Sequence, residues 1–184
     1  MRAVLVLFSG LLLAGCWQST GSLFGDVQPV QPFRDGKLVS TNPDKPAEPG
    51  HSLLTRQKDG SYRLAATDKA DLGDAMVLRF IALKGLPRNM FVFEAVSDDK
   101  CRPGETCHPV TAKSERDYGL VRVTKTGAEV ASPECGKSSA AAKLPGVKAD
   151  AYGSCSFSNR ASLEKALLAA AKQGWKTSLT YKYE

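Results

Sequence analysis

Residues 61–96 read SYRLAATDKADLGDAMVLRFIALKGLPRNMFVFEAV. Three strand patterns lie in this stretch. Residues 61–67 alternate, with Tyr62, Leu64 and Ala66 on one face, which is the period of a half-buried strand. Residues 76–83 are apolar apart from Arg79, as a central strand requires. Residues 90–96, MFVFEAV, form a third candidate. Asp59-Gly60 and Gly85-Leu86-Pro87 punctuate the run. No helical pattern separates the strands, and a parallel pair would need a long crossover. The spacing therefore predicts an antiparallel meander, not βαβ units.

Downstream the pattern continues. Residues 118–124 alternate again, and Thr126-Gly127 turns into a short strand near residues 129–131. Ser158 or Asn159 then offers a helix cap. Leu163, Ala166, Leu167 and Ala170 follow the spacing of one buried helical stripe, and Gly174 suits its C-terminus. In the last segment Trp175, Thr177, Leu179, Tyr181 and Tyr183 alternate with Lys176, Ser178, Thr180 and Lys182. The expected fold is α+β and mostly β: an antiparallel meander or partial barrel, with one C-terminal helix followed by a last strand. Composition agrees. With 184 residues, 42% hydrophobic and 24% charged, the chain suits one globular domain and excludes collagen, coiled coil and solenoid architectures.

Upstream, residues 16–50 carry Gln28-Pro29, Gln31-Pro32, Asn42-Pro43, Lys45-Pro46 and Glu48-Pro49. Proline removes backbone donors and restricts its predecessor, so this segment reads as an extended tether before a single disulfide-stabilised domain over 51–184. The alternative is a tail packed along the domain through Phe24, Val27, Val30 and Phe33. Residues 1–15 have the form of a signal peptide: Met1-Arg2, the apolar run AVLVLFSGLLL, then small residues. That run is too short to span a bilayer.

Leu13-Ala14-Gly15-Cys16 resembles the lipobox of bacterial lipoproteins. The resemblance implies cleavage before Cys16, a diacylglyceryl group on its thiol and acylation of the new amine. Two or more chains anchor a protein stably, where one does so marginally. The family pattern implies an exported protein lipid-anchored to the envelope. Trp17, in place of the aspartate that signals inner-membrane retention, points to the outer membrane, facing the periplasm.

Four more cysteines, Cys101, Cys107, Cys135 and Cys155, leave three pairings open for two disulfides. Between the first two lies Pro103-Gly104, a type II turn signature, which favours Cys101–Cys107 and leaves Cys135–Cys155. These cysteines with His108 do not form a usual zinc set, since C-x5-C departs from the short ligand pairs. No C-x-x-C-H is present for haem attachment. Neither metal nor cofactor is expected.

Charge is uneven. Net charge is +6. Residues 16–135 hold 16 basic and 16 acidic side chains, while residues 136–184 hold 8 basic and 3 acidic ones. Lys165, Lys172, Lys176 and Lys182 are therefore candidate contacts for an anionic partner, whether lipid headgroups or an acidic envelope protein. A solvated lysine face is the plainer reading. No basic block interleaved with aromatics suggests nucleic acid. His51 and His108 are the two imidazoles, and neither lies in a nucleophile or metal motif. The functional expectation is a non-catalytic, membrane-tethered module that binds another envelope component or supports assembly. Alternatives are a small periplasmic hydrolase, a thiol-disulfide enzyme using Cys101 and Cys107, or an inhibitor of a cell-wall-degrading enzyme.

Overall fold

The computed structural model describes residues 17–68, 75–98, 110–133, 135, 139–151, 153–174 and 176–184. The strands are β1 (Trp17–Thr20), β2 (Gly36–Asn42), β3 (Lys45–Arg56), β4 (Tyr62–Ala66), β5 (Ala75–Ile81), β6 (Met90–Ser97), β7 (Glu115–Val123), β8 (Gly127–Ala131), β9 (Val147–Ala149), β10 (Cys155–Phe157) and β11 (Leu179–Tyr183). One helix, α1 (Arg160–Gln173), and a 3-10 turn at Ala141–Lys143 lie between β8 and β11.

Strands β2 to β8 run as a meander, each antiparallel to the next. The chain then builds an outer layer and returns as β11, which inserts between β8 and β2. That insertion closes an eight-stranded antiparallel barrel, so the expected meander or partial barrel is a complete one. Closure satisfies strand edges that an open meander would leave unpaired. The first half of β7 has β1 on its free side, from Trp17↔Tyr118 to Thr20↔Glu115. The second half has β8 there, from Leu120↔Ala131 to Val123↔Ala128. Outside β1 the sheet extends through β10, in parallel, and then β9.

Period-two alternation divides the apolar residues between two cores. Inside the barrel are Phe33, Leu38, Leu54, Tyr62, Leu64, Phe80, Val121 and Ala128. Outside it, Ile81, Val92, Tyr118 and Leu120 meet Trp17, Phe24, Phe157 and the apolar face of α1. The helix forms as its sequence pattern predicts. The Asn159 side chain accepts from the Ser162 amide at 2.9 Å, and Leu163, Ala166 and Leu167 are buried. Gly174 follows at φ 117°, a backbone conformation that side chains disfavour.

The tether expectation does not hold for the residues described. Its prolines lie outside regular pairing or on exposed strand, while its apolar residues are core. Phe24 is fully buried and packs edge-on to Tyr118. Val30 bridges to Phe80. Phe33 packs in the barrel core, ring to ring with Phe80 at 4.9 Å, and its backbone exchanges hydrogen bonds with the Tyr62 hydroxyl. Residues 36–56 then form the β2–β3 hairpin. The domain thus includes residues 17–50 and does not start at residue 51: burial of Phe24 and Phe33 outweighs the donors that proline removes.

Candidate functional site

Among the cavities of the described residues, two bear on function. The first is the barrel lumen. Leu38, Leu54, Leu64, Met76, Leu78, Phe93, Val121, Val130 and Tyr181 contribute to its wall, and every lining residue is apolar, glycine or tyrosine. Its free space is about 70 Å³ reachable by the centre of a water molecule. Eight strands make a barrel wide enough to be filled by side chains or to hold one small ligand. Here Leu78, Phe93, Val130 and Tyr181 face inward yet are only half-buried, so the lumen is incompletely filled. Small residues leave this room. Gly119 faces Phe93 across the β6–β7 pair, and a Cβ there would stand 2.5 Å from the Phe93 ring.

Tyr181 supplies the polar feature of the lumen. Its hydroxyl makes no hydrogen bond among the described residues, and burial alone pushes its phenol well above the ordinary range. Tyr62 and Tyr183, the other tyrosines on inward-facing positions, are engaged. The Tyr62 hydroxyl donates to the Phe33 carbonyl at 2.7 Å, and the Tyr183 hydroxyl to the Arg34 carbonyl at 2.9 Å.

The second cavity is a groove of about 380 Å³ on the same measure, between α1 and the chain leaving β8. Trp17, Leu120, Ala141, Leu144, Ala166 and Ala170 form its apolar wall, and Lys165 and Lys176 are the charged residues lining it among those described. Trp17 is 2% exposed, and its Nε1 has no hydrogen-bond partner among the described residues. A buried donor in that condition is unusual and costs about 1–3 kcal/mol.

Of the four lysines singled out by charge, Lys165 and Lys176 line this groove. Lys172 lies two helical turns beyond Lys165 on α1 and is exposed. Lys182 belongs instead to the barrel wall on β11, opposite Val39 and Gly127. Cys135 and Cys155 stand at disulfide distance, with Cα atoms 5.6 Å apart, and both are buried. They join the chain leaving β8 to β10 behind the groove. Cys16, Cys101, Cys107 and His108 lie outside the described residues.

His51 lies on β3 beside the inward-facing Ser52, and its Nδ1 is 2.9 Å from the Glu184 carboxylate. It lines neither the lumen nor the groove. Glu94 of β6 is buried beneath the segment after β1. Its Oε2 accepts from Ser22 at 2.5 Å and from Tyr118 at 3.2 Å, and its Oε1 faces the Arg79 guanidinium at 3.4 Å. Arg79 in turn donates to the Val27 carbonyl at 2.8 Å. This network holds residues 19–27 against the barrel, which explains the lone charge in the otherwise apolar β5.

Sequence reading singled out the lysines and expected the Cys135–Cys155 pair that stands at disulfide distance, but it showed neither the lumen nor the groove. The inward face of β11 was legible as alternation. That it faces a lumen was not, because the strands flanking it are more than forty residues away in sequence. The molecule is a closed antiparallel β-barrel with a helix-covered outer layer. No protein-family model, curated protein or solved structure matches the chain.

Proposed function

We propose that this chain is an exported, lipid-anchored envelope protein whose barrel is a non-catalytic binding module for the apolar part of another envelope component. The observation that carries the reading is the lumen: an apolar interior, incompletely filled, with a single unengaged hydroxyl at Tyr181. A largely apolar pocket with few placed polar groups is the ordinary form of a small-molecule site. The export and the anchor rest on residues 1–16. Surface position of His51 and the structural engagement of Glu94 favour binding over acid–base chemistry, which needs a base within hydrogen-bond reach of a reacting group.

Size restricts the ligand. One water needs roughly 10–15 Å³ on this measure, so the lumen admits roughly six non-hydrogen atoms without rearrangement. That suits a short alkyl chain, or the end of a longer one, with a polar group near Tyr181. Hexan-1-ol is a direct probe. It should raise the melting temperature and shift the methyl signals of Leu78 and Val130. Leu78→Trp should fill the lumen and abolish both effects while the barrel still folds. Tyr181→Phe should weaken hexanol binding several-fold. Absence of any hexanol effect on the folded wild-type protein at millimolar concentration would overturn the lumen as a site.

A further inference from the structure

We infer that the groove face carrying Trp17, Lys165, Lys172 and Lys176 lies flat against the membrane and binds its anionic headgroups. The inference rests on the reading of Cys16 as the lipid-bearing residue, and it follows from where the fold begins. Consecutive Cα atoms are about 3.8 Å apart. Trp17 is already the first residue of β1, paired with Tyr118 of β7 on one side and Cys155 of β10 on the other. It is buried against Phe157, with ring centroids 5.2 Å apart. An acylated Cys16 is therefore one peptide bond from a strand locked into the sheet. No flexible spacer separates the anchor from the domain, so the acyl chains fix which face meets the bilayer.

That face has the chemistry for the contact. Trp17 lines the groove, and among the described residues the charged ones that line it are both basic, Lys165 and Lys176. Lys172 flanks them on the exposed side of α1. The acidic residue of the helix is turned to other use: Glu164 pairs with Arg160 at 2.6 Å, and Arg160 also meets Asp26. The groove floor is built of alanine, leucine and the Trp17 indole, whose buried Nε1–H has no acceptor among the described residues. Lysines held near an anionic surface each strengthen attraction roughly fivefold. Flush attachment turns them into contacts without further ordering of the chain.

Lysine accessibility tests this on the acylated mature protein, whose mass is measured first. The protein is reconstituted on phosphatidylcholine vesicles with and without phosphatidylglycerol, then labelled with a membrane-impermeant amine reagent. Lys58 and Lys125, exposed in the turns after β3 and β7, serve as controls. Labelling of Lys165, Lys172 and Lys176 should fall at least about fivefold on the anionic vesicles, with Lys58 and Lys125 unchanged. Protection should be lost in 1 M salt, where the Debye length is about 3 Å. Equal labelling of all five lysines on anionic vesicles overturns the membrane face while leaving the anchor intact. Protection that appears only in native envelopes assigns the face to a protein partner and likewise overturns it. A mature protein without acyl mass removes the anchor itself, and is seen before any vesicle is added.

Discussion

The Arg79 guanidinium and the Glu94 carboxylate face each other at 3.4 Å across the β5–β6 pair, on the outer wall of the barrel. Glu94 is 1% exposed, and the N-terminal segment covers the pair through Ser22 and Val27. Removing one member of such a pair leaves an uncompensated charge, and the expected loss is about 3–5 kcal/mol. Glu94→Ala should therefore destabilise strongly in urea unfolding. Replacing both together, with Arg79→Met and Glu94→Leu, should cost far less than the single change. A Glu94→Ala variant as stable as wild type would show that the network does not hold residues 19–27 in place.

Alkaline pH should unfold this protein through its buried tyrosines. Burial pushes the Tyr118 phenol up to about 12, and burial also raises Tyr62 and Tyr183. Each is an acid held neutral in the folded state, so the folded protein keeps protons that the unfolded chain releases near pH 10. Stability is then full below about pH 10 and falls as pH rises towards 12, by roughly 3 kcal/mol for Tyr118 alone. Tyr118→Phe should be less stable at neutral pH, having lost hydrogen bonds to Ser19, Leu23 and Glu94. Its stability should also depend less steeply on pH between 10 and 12. Melting curves across that range check both statements.

Cys135 and Cys155 should yield one linked peptide in an unreduced digest. Their separation of 20 residues gives an expected contribution of roughly 3 kcal/mol to stability. The double variant Cys135→Ala with Cys155→Ala should lose about that much and loosen the groove wall first. Cys101 and Cys107 should form the second linked pair. Recovery of a Cys101–Cys135 peptide would refute the pairing.

Cys16→Ala should abolish incorporation of labelled fatty acid and leave an unprocessed or differently cleaved form. The wild-type chain should incorporate the label. Failure to do so would remove the lipoprotein reading and leave the lumen proposal standing by itself.

Much of the fold is written in local pattern. Alternation in residues 61–67, the apolar run 76–83 and the segment 90–96 predicted β4, β5 and β6, and the stripe from Leu163 to Ala170 with the Asn159 cap predicted α1. Such patterns are legible because side-chain direction repeats every two residues in a strand and every 3.6 in a helix. The basic bias of the last forty-nine residues and the even cysteine count were equally plain. The N-terminal segment misled because proline content reports on local backbone freedom, whereas Phe24 and Phe33 are held by distant partners, Tyr118, Tyr62 and Phe80. Only the tertiary structure decided that β11 closes the barrel between β2 and β8, that Tyr181 therefore faces a lumen, and that Trp17 begins the sheet beside a lysine-lined groove. Each of these depends on pairing between residues far apart in the chain, and register between such strands is set by the packing of the whole.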